Sequence, residues 1–244
     1  MKSVPVIGAI KSALSVAALS LALAGCVASG PQAKDYSDFR TENPKSILVL
    51  PALNNSGAVE APEFFLSTVS QPFAQRGYYV FPANMVKSLL EDEGLSDPAL
   101  LYGADTRRLD RMFGCDTALY LTIERWESQY VVLATSTNVT FTYDLRSCKS
   151  GESVWIHTQQ LTYSPQASSS DNPLADLLAQ AIISAIEKGS PNYIPLARQA
   201  NALAAGTVGQ GIPAGPYLPD LYQQDTEQSV SYTHLRAHET RHDL

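Results

Sequence analysis

Histidine, cysteine, tryptophan and positive charge are all scarce in this chain of 244 residues, which holds 4 His, 3 Cys, 2 Trp and 17 Lys plus Arg against 24 Asp plus Glu. Each shortage removes a class of chemistry. Three cysteines without a C-x-x-C pair exclude a disulfide-dense scaffold, a zinc ribbon and a dithiol redox motif. A formal net charge of −7 leaves no basic stripe for phosphate groups, so nucleic acid is not an expected partner. The one arginine cluster, Arg107, Arg108 and Arg111, is interleaved with Asp105 and Asp110 and reads as a solvated helix face. No G-x-S-x-G elbow is present. Gly206, Gly209 and Gly211 do not join a buried strand to a helix, so they are not a phosphate loop.

No apolar run is long enough to cross a bilayer as a helix, and the longest, Ser12 to Ala24, sits behind Lys2 and Lys11 near the start. Positive start, short apolar core and small residues are the parts of an export signal. It closes on Leu23-Ala24-Gly25-Cys26, the pattern of a bacterial lipobox. Cleavage between Gly25 and Cys26 is expected, with acyl chains on the Cys26 thiol. Each buried methylene is worth about 0.8 kcal/mol, and two or more chains hold firmly where one does not. The residue after the cysteine is Val27 rather than an inner-membrane-retaining Asp, which points to the outer membrane, facing the periplasm.

Near the other end, His238-Glu239-Thr240-Arg241-His242 spells H-E-x-x-H, and His234 adds a third imidazole. On a packed helix that spacing binds zinc, with the glutamate as general base. Yet Val230 to Thr240 is the in-frame translation of a transposase-type sequencing adapter. Residues 230–244 are therefore expected to be an artefact of sequence assembly, and a zinc hydrolase is the disfavoured alternative. No metal or cofactor is expected.

Between these ends the pattern predicts an α/β (α+β) domain over residues 46–205, after a flexible tether at 26–45 and before a Gly/Pro-rich, loosely ordered tail at 206–229. Ile47 to Leu50 is a continuous apolar run stopped by Pro51, as in a strand buried on both faces. Pro62 opens a helix with Phe65, Val69 and Phe73 at four-residue spacing, Pro72 as a kink and Gly77 at its C-terminal cap. Tyr78 to Phe81 is a second strand, completing a βαβ start. Two short helices follow, from Asn84 to Leu90 and from Thr106 to Phe113, separated by a loop around Gly94 to Gly103. From Thr117 to Leu161 an antiparallel three-strand meander is expected, with Val139, Phe141, Tyr143 and Leu145 facing inward. A helix with the stripe Leu174, Leu177, Leu178, Ile182 and Ile186 ends at Gly189, and Pro191 to Ala205 forms another.

Cys115 precedes one strand and Cys148 follows another, so a disulfide between them is permitted in an oxidising compartment and left open. His157 is the one histidine outside the adapter-like end, and on a strand it reads as a hydrogen-bonded sheet residue rather than a general base. Asp144 and Glu124 fall on adjacent strands and read as outward-facing charges. Trp126, Tyr130, Trp155 and Tyr163 read as covering the sheet. No catalytic residue emerges.

The lipobox, Ser46 to Pro51, Phe113-Gly114-Cys115-Asp116 leading into Ala118 to Ile123, Tyr143-Asp144-Leu145, Gly151 to Trp155, and Tyr193 to Arg198 together resemble a bacterial lipoprotein family of unknown function, typified by a neisserial genome-derived antigen. The resemblance implies an α/β fold similar to the TolB N-terminal domain and the periplasmic part of the CsgG lipoprotein, with no established enzymatic activity. Cys115 departs from it, where a small residue is implied. The expected function is an outer-membrane lipoprotein whose non-catalytic periplasmic domain binds envelope or export proteins by its sheet edge and aromatic surface. The alternative is a lipoprotein regulator of peptidoglycan synthesis. Homo-oligomerisation stays open.

Overall fold

A computed structural model describes residues 34–131, 134–163 and 193–225. The signal at 1–25, Cys26, the helix expected to end at Gly189 and the H-E-x-x-H end lie outside the described residues.

The elements run α1 (Ser37–Glu42), β1 (Ser46–Val49), β2 (Leu53–Asn54), α2 (Ala61–Gln75), β3 (Tyr79–Val80), α3 (Ala83–Asp92), α4 (Pro98–Tyr102), α5 (Arg107–Phe113), β4 (Thr117–Val131), β5 (Ala134–Ser147), β6 (Ser153–Tyr163) and α6 (Ile194–Gly206). The strands form one mixed sheet in the order β3-β1-β4-β5-β6, with β2 also on β4. β1 is parallel to β3 and β4, and the β4–β5–β6 meander is antiparallel, as its alternating pattern requires.

Two apolar layers flank the sheet. Ile47, Val49, Phe141, Tyr143 and Leu145 point toward α2 and α6, meeting Phe65, Val69, Phe73, Leu196 and Ala200. Leu48, Leu50, Ala118 and Tyr120 point the other way, toward Val86 and Leu90 of α3, Leu101 of α4 and Leu109 of α5. Strand β1 is thus buried on both faces. In the buried layer under α6, the Tyr143 hydroxyl donates to Asn201 Oδ1 at 2.8 Å, and Asn201 Nδ2 donates to Thr68 Oγ1 at 2.9 Å. This chain of partners lets a buried amide sit in an Ala-rich helix with its hydrogen bonds satisfied.

Helix α2 continues through Pro72, and Gly77 follows it at φ +88°. Gly114 closes α5 in the left-handed region at φ +63°. Thr106 precedes α5 but its side chain makes no capping bond.

The structure corrects three expectations. Order begins before Ser46: α1 lies inside the expected tether, and its single buried side chain, Phe39, packs edge-on against Tyr78. One apolar residue gives no period to read. The loop expected around Gly94 to Gly103 contains α4, started by Asp97, whose side chain accepts from Ala99 N–H at 2.8 Å. The tail expected from Gly206 is fastened to the domain as far as Asp225, with Ile212 and Ala214 fully buried.

β2 is a further element the pattern did not announce. Between the stretches of β4 that pair with β1 and with β2, the Tyr102 hydroxyl accepts from Leu121 N–H at 2.7 Å and donates to Leu121 C=O at 2.5 Å. A side chain on α4 thereby takes the place of the missing strand neighbour.

Candidate functional site

The chain crossing from the N-terminal side into the domain is received by a strap formed from residues 209–215. Strap carbonyls cannot be left dry without partners, and here five consecutive ones are each taken by a different donor. Lys34 N–H donates to Gly209 C=O at 3.1 Å. Trp155 Nε1–H donates to Gln210 C=O at 3.2 Å, and the Tyr36 hydroxyl to Gly211 C=O at 2.7 Å. Arg76 Nε–H donates to Ile212 C=O at 3.1 Å, and the Tyr78 hydroxyl to Pro213 C=O at 2.7 Å. The Asp225 carboxylate then accepts from Arg76 Nη2 at 2.9 Å and from Ala214 N–H at 2.7 Å. Two glycines admit the strap: a β carbon on Gly211 would stand 2.5 Å from Ala205 C=O, and one on Gly215 2.3 Å from Gly77 C=O.

At the β6 side of the strap, Lys34 Nζ donates to Ile156 C=O, reaches His157 Nδ1 at 3.2 Å and stands 5.2 Å from the Trp155 ring centre. Half-burial lowers the Lys34 pKa to about 8. His157 stacks on Trp155 at 8° between planes and pairs through Nε2 with Gln159 Oε1 at 3.2 Å. Burial lowers its pKa; the Gln159 contact opposes that shift, and the nearby ammonium adds to it. Burial also raises the Tyr36 hydroxyl to about 12 and Tyr78 further. The basic and phenolic groups at the strap are therefore held uncharged or spent as donors, and the arrangement fastens two chain segments. It presents no nucleophile beside a free base.

Cys115 and Cys148 form a buried disulfide, with Cα atoms 6.0 Å apart, joining the start of β4 to the end of β5. Asp144 and Glu124 are not brought together: Asp144 accepts from Arg146 Nε at 2.6 Å and from Ser153, and Glu124 accepts from Asn55 Nδ2 at 3.3 Å. Trp126 is buried against Phe64, Phe65, Phe141 and Tyr193, so it is core rather than a ligand-facing ring. Arg107 pairs with Asp105 and Arg108 with Glu93 at the surface. Among the described residues no three His, Cys, Asp or Glu side chains are grouped as metal ligands, and no helix is long and apolar enough to cross a membrane.

Sequence reasoning passed over Lys34, Tyr36, Arg76, Tyr78 and the strap. Gly211 and Gly215 bracketing Ile212-Pro213-Ala214 were the one visible hint, because paired glycines mark close main-chain approach.

Known proteins share this domain. The family model of the GNA1162-like lipoproteins matches residues 34–216, which spans the domain from the clasp residue Lys34 to the end of the strap. Lipoprotein NMB1124/NMB1162 of Neisseria meningitidis serogroup B is 30% identical over 166 residues, covering 68% of this chain and 76% of that protein. The crystal structure of lipoprotein GNA1162 from Neisseria meningitidis is similar in fold, at 29% identity and a TM-score of 0.50, over 59% of this chain and 99% of that one.

Proposed function

We propose, from the premise that this chain belongs to the GNA1162-like lipoprotein family, that acylated Cys26 holds its domain at the outer membrane, where the domain works without catalysis as a docking module for envelope proteins. The observation that carries this reading is the state of His157. The one histidine of the domain is consumed by its stack on Trp155 and its contacts with Lys34 and Gln159. An imidazole held in that way serves architecture rather than proton transfer. The disulfide between Cys115 and Cys148 supports export, because such bonds persist in oxidising compartments. The clasp at Lys34 supports anchoring, since it fixes the point at which a membrane-tethered chain enters the domain.

Labelling cells with a palmitate analogue tests the anchor: label is expected on the native chain and absent from Cys26→Ala, and an equally labelled Cys26→Ala refutes it. Crosslinking in intact cells followed by mass spectrometry tests the docking role. Recovery of defined envelope proteins is expected, and a chain that crosslinks to none of them overturns that role.

A further inference from the structure

Helix α3 carries two stripes. On its inner side Val86 and Leu90 are buried in the apolar layer with Leu48, Leu50 and Ala118 of the sheet. On its outer side Met85, Ser88, Leu89 and Asp92 follow one another at the three- and four-residue steps of one helix face. All four are exposed, Met85 by 61% and Leu89 by 44%. Burial in the domain explains the first stripe and leaves the second without a reason. Large apolar side chains with a small residue beside them form the kind of ridge and groove along which one helix packs on another.

The two ends of the same helix break the rules of capping in opposite senses. The last turn holds Glu91 and Asp92, with Glu93 in the capping position and no Lys or Arg, so three carboxylates crowd the negative end of the helix dipole. Arg108 reaches Glu93 at 3.4 Å, and neither Glu91 nor Asp92 has an ion-pair partner among the described residues. At the other end Pro82 stands in the capping position, and its side chain gives the N–H groups of the first turn no acceptor. The one lysine of the helix, Lys87, is spent on Glu63 of α2 at 2.7 Å. One end thus offers anions without a cation, and the other offers donors without an anion. Departures from local preference of this kind are expected where a contact completes the structure.

We propose that two copies of this chain pair through the outer stripes of their α3 helices, antiparallel about a two-fold axis that passes between Ser88 and Leu89. Leu89 of each copy then sits over Ser88 of the other, and the Asp92 carboxylate meets the uncapped first turn of the opposite helix. A second copy is the occupant that the helix itself describes. One antiparallel partner brings donors to the acidic end and carboxylates to the bare end at once, with like surfaces matched as an isologous contact requires. A helix of 10 residues is about 15 Å long, so the seam is short, and both copies are acidic. Such a pair is weak in free solution. The anchor supplies what the seam lacks, because copies confined to one membrane face meet at a raised effective concentration; the inference therefore rests on lipidation of Cys26.

The test uses the full lipidated chain with Ser88→Cys, bound to vesicles of phosphatidylethanolamine and phosphatidylglycerol. With Cys26 acylated and Cys115 joined to Cys148, the new thiol is the only free one. The two copies of position 88 lie beside the axis, so mild oxidation is expected to give a disulfide-linked dimer. Asn84→Cys, whose copies stand about 13 Å apart along the antiparallel helices, should crosslink at least about tenfold more slowly. Adding Leu89→Asp to Ser88→Cys should slow its crosslinking by a similar factor, since like charges then face each other across the axis. Circular dichroism matching that of the native chain shows that these surface variants keep the fold. Equal crosslinking at positions 84 and 88 reports random collision and overturns the pair. A Ser88→Cys chain that floats with the vesicles and stays monomeric overturns the pair and leaves the anchor standing, whereas failure to float overturns both. In intact cells, a Ser88→Cys disulfide to another envelope protein in place of the dimer assigns the stripe to that protein and overturns the second copy.

Discussion

The main chains of Gly215 and Gly77 pass so close that a β carbon on Gly215 would stand 2.3 Å from the Gly77 carbonyl oxygen. The obstacle is backbone rather than a flexible side chain, so it cannot swing away. Gly215→Ala is expected to cost about 1–3 kcal/mol in chemical denaturation, as overpacking does. Gly57, where a β carbon would meet nothing within 4 Å, is the control: Gly57→Ala should stay within about 0.5 kcal/mol. Equal effects at the two sites would mean that the strap does not press on Gly77.

Trp155 serves the strap through one atom. Trp155→Phe keeps an aromatic face for His157 but leaves Gln210 C=O without its indole donor. Losing that bond costs about 0.5–1.5 kcal/mol. Denaturation should show that loss, together with faster hydrogen exchange at strap amides such as Ile212, and unchanged exchange there would place the strap's hold elsewhere.

Beneath α6 the prediction concerns a single hydroxyl. Tyr143→Phe removes the donor to Asn201 Oδ1 in a fully buried layer. About 1–3 kcal/mol of stability should go, and Tyr143→Phe combined with Asn201→Leu should recover part of it, since removing both partners is gentler than removing one. A double variant as unstable as the two losses added together would contradict the pairing.

Lys34 links stability to pH with a definite sign. Its folded pKa is about 8, below the roughly 10.4 of an unfolded lysine. Between those values the unfolded chain holds a proton that the folded chain has released, so stability should rise from about pH 8 toward 10. Lys34→Met should abolish that rise. On the acid side, His157 has a lowered pKa, so the unfolded chain gains its proton first and stability should fall as pH drops through about 6.5. His157→Gln should flatten that arm of the curve.

The disulfide closes a loop of sequence separation 33, for which chain entropy alone gives about 4 kcal/mol. Cys148→Ser should lower the denaturation midpoint accordingly, and the native chain should match it under a strong reductant in denaturant. A reductant without effect on the native chain in denaturant would show that the bond is not formed.

Where side chains repeat with a period, the sequence announced the structure. Phe65, Val69 and Phe73 placed α2, and Val139, Phe141, Tyr143 and Leu145 set the inward face of β5, because burial selects apolar residues at helical or strand spacing. Helix α1 escaped because it buries only Phe39. The strap escaped for a different reason: its hold comes from backbone carbonyls, which every residue type carries, and from donors as remote in sequence as Tyr36 and Arg76. Helix α4 was read as loop: Asp97 followed by Pro98 is a helix-start pattern, but five residues are too few to show a stripe that would set it apart from a turn. His157 was legible as a sheet residue, whereas its neighbour Lys34 was hidden in what looked like tether.

Tyr36 and the carbonyl it grips are 175 residues apart. At ordinary synthesis speeds of roughly 5–20 residues per second, the phenol waits about 9–35 s for its acceptor to be made. During that interval Trp155, Tyr78 and Arg76 have been translated and their strap has not, so the nascent domain shows an open seam of donors to whatever chaperone attends it. Closure of the seam is a last act of maturation.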